Sequence, residues 1–249
     1  MTPRPSMPAR SPVRSVSAIV LSNARTDVHY QMTCDCLRSL RAHGGADWHV
    51  VVVEQSPRDR YGDDRCQIVV VDEPFHYNRF LRLGWDAAET HGDAVAILNN
   101  DLIFQPGFWP PLAEALARFD SVSPWCPGYH DAWMAPPHDL YRLGYRPSYE
   151  LTGWALVFRC DVEERIGFDA LFPDDFPAWF QDNWYAYQLQ RHGLTHALVS
   201  ASRVAHRFGG SRDLVPPTRE AEWSYVAQAA FDRKVAEVER KRTDVDRRR

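Results

Sequence analysis

Four short apolar runs, each closing on polar or acidic side chains, constrain this chain more than any other feature. They occupy residues 17–21, 49–53, 68–71 and 94–98. Runs of this length, rich in Val and Ile and without alternation, predict strands buried on both faces. Residues 27–43 have helical spacing, with Leu37 and Leu40 on one side and Gly44-Gly45 at the end. Residues 78–91 read as a second helix before the fourth run. The rhythm strand, helix, strand, strand, helix, strand predicts a doubly wound α/β sheet, in which ligands bind at the carboxyl ends of the strands. Three of those ends carry Asn23, Glu54 and Asp101.

Beyond the fourth run, Pro106 and Pro110-Pro111 open a helix reaching about residue 119. Residues 121–148, rich in Pro, Tyr, Trp and His and without a period, read as a long functional loop. Strands are expected over 151–159 and 197–204, a short helix over 161–166, and a stronger helix over 181–192 that stops at Gly193. From residue 218 the chain reads as a charged helix. The expected organisation is a disordered arm over residues 1–15, one domain over 16–215 and a charged helix or tail over 216–249.

Composition narrows the function classes. A chain of 249 residues, 45% hydrophobic, is long enough for one sizeable core. A net charge of -4 gives no global basic field for nucleic acid. Five cysteines at irregular spacing form neither a disulfide framework nor a CxxC pair, which predicts reduced thiols in a cytoplasmic protein. No apolar segment follows the Pro-, Ser- and Arg-rich start at signal-peptide length, and no run reaches the roughly 18 apolar residues of a membrane span.

Asn99-Asn100-Asp101 directly follows the fourth strand. A carboxylate there suits a hard divalent cation bridged to substrate phosphates, and the same residues equally suit a turn. Taken with its surroundings, residues 97–109, the segment resembles the metal-binding region of family 2 glycosyltransferases with a GT-A fold, in the rhamnosyltransferase-like branch. Asn99 and Asp101 fall where the DxD motif has its acids, and Asn99 departs from it. Val53-Glu54-Gln55-Ser56 resembles the V-D-N-S element whose acid faces the nucleotide base. Asn78-Arg79-Phe80 with Leu83-Gly84-Trp85 resembles the helix before the DxD strand. Thr152-Gly153-Trp154-Ala155 resembles the element under the acceptor, and Gly167-Phe168-Asp169 the one before the catalytic loop. Gln181-Asp182-Asn183-Trp184 resembles E-D-x-D, with both outer acids replaced. Val204-Ala205-His206-Arg207-Phe208-Gly209-Gly210-Ser211 resembles H-x-x-G-x-S, whose His can complete the metal site.

The resemblance implies an α/β GT-A fold, one domain with a mostly parallel central sheet. It implies an inverting transfer from a UDP-, GDP- or dTDP-sugar donor to a hydroxyl acceptor, with Mn²⁺ or Mg²⁺ held by Asp101 and His206. The nucleotide side would be Asn23, Arg25, Glu54, Asn78, Asn99 and Asn100; the acceptor side Gly153, Trp154 and Trp184; the general base Asp182. A helix cap or first-turn acid is the plain alternative for Asp182, and Asp174 and Asp175 are rival bases. The acceptor stays open among glycan, lipid-linked sugar, protein, small molecule and nucleic acid, with the aromatic residues Trp125, Tyr129, Trp133, Tyr141, Tyr145 and Tyr149 as candidate stacking surfaces. Two other classes stand beside it. A nucleotidyltransferase would need a Gly-rich phosphate loop, which residues 22–26 lack. A catalytically silent nucleotide-sugar-binding module would fit the replaced acids at Asn99 and Gln181.

Overall fold

The first two apolar runs pair side by side as β1 (Ser15–Ser22) and β2 (Asp47–Glu54), in parallel and in register from Ser15↔Asp47 to Ser22↔Glu54. The computed structural model describes residues 10–45, 47–56, 61, 65–88, 92–134, 139–176, 178–207 and 217–246. The arm up to residue 9, the Gly209-Gly210-Ser211 turn, residues 89–91 of the expected second helix and residues 247–249 lie outside them.

β3 (Cys66–Val70) pairs with β2, and β4 (Ala94–Asn99) with β1, both in parallel. The intervening helices are α1 (Asp27–His43) and α2 (Tyr77–Ala87). Odd and even residues of these strands point to opposite faces. On one face Ala18, Val20, Val50, Val52, Ala96 and Leu98 pack with Cys36, Leu37 and Leu40 of α1. On the other, Ile19, Val51, Val53 and Ile97 pack with Phe80, Leu81 and Trp85 of α2. Burial of each such Val, Ile or Leu is worth about 1.5–3 kcal/mol, which explains why the runs are continuous. α2 lies so close to the sheet that a Cβ on Gly84 would meet Ile19 Cγ2 at 2.5 Å.

Past β4 the sheet becomes mixed. β8 (Ala155–Arg159) runs antiparallel to β4, then come β6 (Ser121–Trp125), β9 (His196–His206) and the short β5 (Leu102–Phe104), with β7 (Tyr141–Leu143) also on β9. The expected parallel arrangement therefore holds for β3–β2–β1–β4 and gives way to a mixed half. The helices of this half are α3 (Trp109–Leu116), α4 (Pro127–Trp133), α5 (Cys160–Ile166), α6 (Phe168–Leu171), α7 (Gln181–Arg191) and α8 (Pro217–Asp246).

Residues 121–148 correct the reading of a long loop, since they contribute β6, α4 and β7. β6 is wholly buried but carries weak strand signals: Ser121 and Ser123 are polar, and Pro124 lacks a ladder donor. Its serines are satisfied internally. Ser121 Oγ lies 2.9 Å from His196 Nδ1, and Ser123 Oγ accepts from the Thr152 amide over 3.2 Å. The register shifts just after Pro124. No disulfide joins the five cysteines. Among the described residues no helix is long and apolar enough to cross a membrane.

Candidate functional site

Parallel registry brings Ser22, Glu54 and Asn99 to one edge of the sheet, because Ser22 pairs with Glu54 and Leu21 with Asn99. The antiparallel β8 returns to that edge, so Gly153 and Trp154 sit beside the end of β4, where the Asn99 amide donates to the Trp154 carbonyl over 2.9 Å. β9 reaches it by pairing with β5, Leu102 opposite His206.

That last pairing sets His206 against Asp101. His206 Nε2 lies 3.0 Å from Asp101 Oδ1, and each side chain is 8% exposed. The contact lacks hydrogen-bond alignment, and Asp101 Oδ1 accepts from no described residue. The Arg207 amide donates to the Asp101 carbonyl over 2.9 Å, fixing the pair from behind. A buried carboxylate oxygen without a donor is costly. Ligands at neighbouring corners of an octahedral ion with bonds near 2.1 Å stand about 3 Å apart, so the pair fits a divalent cation. Among the described residues no cluster of three or more His, Cys, Asp or Glu could hold an ion.

The expected nucleotide side is corrected at two positions, Glu54 and Asn100, whereas Asn78 has a partner at its amide nitrogen and none at its buried Oδ1. Glu54 is fully buried: its Oε1 accepts from the Ala24 amide at 2.9 Å and the Ser56 amide at 2.7 Å, and its Oε2 from the Tyr61 hydroxyl. A carboxylate so occupied fixes the loops after β1 and β2 and does not face a base. Asn100 is 3% exposed, and its Nδ2 donates to Thr33 Oγ1 at 2.9 Å and to Ser22 Oγ at 3.3 Å. Asn78 is buried, and its Nδ2 donates to the Pro173 carbonyl over 2.6 Å, tying α2 to the segment before α7. Asn23 and Asn99 are half-buried and Arg25 is exposed on this edge. Under Asn99, the Cys36 thiol donates to its carbonyl over 3.5 Å, and burial pushes that thiol up to about 12.

Asp182 lies in the first turn of α7, whose N-cap is Phe180 in the left-handed region at φ 67°. It is therefore not the cap. Its Oδ1 accepts from the Asn183 amide at 2.9 Å. Burial raises its pKa, and that amide opposes the rise. A carboxylate of raised basicity suits proton abstraction. Gly153 lies directly against it: an added Cβ would come within 3.3 Å of Oδ2. The next residue, Trp154, places its ring 5.1 Å from that of His206. One dipeptide thus joins the Asp182 corner to the Asp101–His206 corner. The rivals Asp174 and Asp175 are both exposed, and Asp175 is paired with Lys234.

Trp184 is corrected outright. It is 1% exposed, donates from Nε1 to the Ala170 carbonyl over 2.8 Å, and packs with Phe176 and Phe231 beneath α8. The aromatic middle does not form one platform either. Trp125 is buried, Tyr141 packs on Phe119, and Tyr145 donates to the Leu194 carbonyl over 2.5 Å. The side chain of Trp133 lies outside the described residues. What reaches the site from this region is His130, whose ring stands between Trp125 at 4.7 Å and Trp154 at 5.9 Å. Its Nδ1 accepts from the Cys126 amide at 2.8 Å, and burial lowers its pKa to about 4, so it is neutral. Sequence reasoning missed His130, Thr33, Tyr61 and Tyr77, none of which carries a local pattern.

No protein-family model matches the chain. No curated protein matches it either. Among solved structures it is similar to GalNAc-T7, crystallised with UDP, GalNAc and Mn²⁺, with a TM-score of 0.60 at 10% identity. The likeness covers 78% of this chain and 43% of that one, so the chain spans less than half of its neighbour's length. At this identity the likeness shows the fold, and the GT-A architecture expected from the sequence holds.

Proposed function

We propose that this chain is an inverting, divalent-metal-dependent glycosyltransferase. It would move a sugar from a UDP-, GDP- or dTDP-sugar to a hydroxyl acceptor, and its sequence resembles family 2 in the rhamnosyltransferase-like branch. One observation carries the reading. The Gly153–Trp154 dipeptide links a buried Asp–His pair, with one carboxylate oxygen lacking a donor, to a second carboxylate of raised basicity. The solved neighbour that holds UDP and Mn²⁺ supports a nucleoside diphosphate and a divalent cation.

In this mechanism Asp101 and His206 would hold Mn²⁺ or Mg²⁺, which would supply charge neutralisation for the leaving diphosphate. Asn23, Arg25 and Asn99 line the donor side of the edge, and Trp154 the acceptor side. Asp182 accepts the proton of the acceptor hydroxyl as its oxygen bonds to the anomeric carbon. The bond from that carbon to the diphosphate oxygen breaks with its electron pair, and the anomeric configuration inverts. The neutral His130 beside Trp154 keeps the acceptor side free of a second positive charge.

A panel of UDP-, GDP- and dTDP-sugars with mixed hydroxyl acceptors, with and without Mn²⁺, tests the reading. Metal-dependent release of nucleoside diphosphate with sugar transfer is the expected result. Release of pyrophosphate from nucleotide triphosphates would replace it by a nucleotidyltransferase. Metal-dependent binding without turnover on any acceptor would replace it by a silent binding module.

A further inference from the structure

Tyr77 opens α2 and is 8% exposed. Its hydroxyl donates to the Gly153 carbonyl over 3.2 Å. Gly153 in turn is pressed against Asp182, where an added Cβ would stand 3.1 Å from Asp182 Cβ. The three residues come from separate segments: the start of α2, the turn before β8 and the first turn of α7. They meet at a cavity of ≈ 10 Å³, lined also by Ile97, Leu156, Phe172, Gln181 and Tyr185. That is about the space of one water. Tyr77 and Tyr185 are the other titratable residues that line this cavity with Asp182 among the described residues.

We propose that Tyr77 is a positioning residue for Asp182: it fixes the Gly153 turn against the carboxyl and closes the space beneath it to bulk water. The proposal rests on the reading of Asp182 as proton acceptor. Gly153 is needed for room, since any side chain would press on the carboxyl. A glycine is also the loosest backbone link available. Its carbonyl needs an anchor, and the Tyr77 hydroxyl provides one. The Asn99 amide holds the next carbonyl, that of Trp154, at 2.9 Å. The dipeptide is therefore pinned once from the proton-acceptor side and once from the cation side. Tyr77 does not compete for the proton, because burial pushes its phenol up and it stays a neutral donor at working pH.

Two variants of the full chain, each labelled with ¹³C at the aspartate carboxyls, test this. The Asp182 resonance is assigned with Asp182→Asn. Tyr77→Phe keeps the ring and loses the anchor; kcat should fall about fivefold with donor KM unchanged, the equivalent of one neutral hydrogen bond. Tyr77→Ala admits water; the Asp182 titration should move down toward the ordinary carboxylate range, and the acid limb of the pH–rate profile should move with it. Full kcat in the Phe variant overturns the proposal. So does an Asp182 titration that does not move in a folded Ala variant, and if that variant fails to fold the Phe variant decides alone. If Asp182→Asn transfers sugar at the parental rate while Tyr77→Ala shifts the titration, the base assignment falls and the positioning role stands.

Discussion

The ends of β2 and β4 each carry one buried acid, and the two acids do opposite things. Glu54, the last residue of β2, has both oxygens taken by two backbone amides and the Tyr61 hydroxyl. Asp101, after β4, has an oxygen that accepts from no described residue and a histidine at 3.0 Å. Burial alone does not separate them, since Glu54 is 0% and Asp101 6% exposed. Hydrogen-bond satisfaction does. A saturated carboxylate stabilises the loop that carries it, whereas an unsaturated one is poised for a ligand.

The sharpest way to break this contrast is to swap the consequences. Asp101→Ala is expected to abolish metal-dependent nucleotide binding, read by calorimetry with Mn²⁺, while the thermal unfolding midpoint stays level or rises. Undiminished binding would remove Asp101 from the site. Asp182→Asn comes next, with turnover lower by about 10²–10⁴ and donor affinity unchanged. Because burial raises the Asp182 pKa in the folded state, its protonation favours folding below the unfolded value, and that gain is lost as pH rises through the folded pKa. At neutral pH the Asn variant should therefore be at least as stable as the parent, and a marked loss of stability there would mean that the carboxylate is structural. Glu54→Gln should show the reverse pattern, with about 1–3 kcal/mol of stability lost to denaturant and transfer by the folded fraction retained. If it abolishes donor binding at unchanged stability, the contrast collapses. The smallest effect is expected for Tyr61→Phe, about 1 kcal/mol, since one donor to Glu54 is removed and the two amides remain.

The sequence made the parallel half of the fold plain, because residues 18–21, 50–53 and 94–98 are covered on both faces and so carry no polar interruption. β6 was hidden for the opposite reason: its buried serines find partners only across the sheet, in His196 and Thr152. The Trp184 assignment failed on helical geometry. Positions 182 and 184, two apart on α7, are about 200° apart around the axis, so a residue sharing a motif with Asp182 points away from it. Glu54 and Asn100 were misread because an acid or amide at a strand end looks the same whether it meets a ligand or an amide of its own loop. Only the list of partners separates the two, and partners such as Tyr61 and Thr33 are set by tertiary packing.

The three-residue β5 also dictates an order of events. The pairings of the β3–β2–β1–β4 half are complete once β4 has been made, whereas Asp101 meets His206 only after β9 has returned across the whole second half to pair with Leu102. Contacts of long sequence separation form late. During synthesis, the strand ends of the parallel half would be in place well before His206 emerges from the ribosome. A half-made chain would present the cradle without the clasp, and competence for the cation would arrive as one of the last acts of folding.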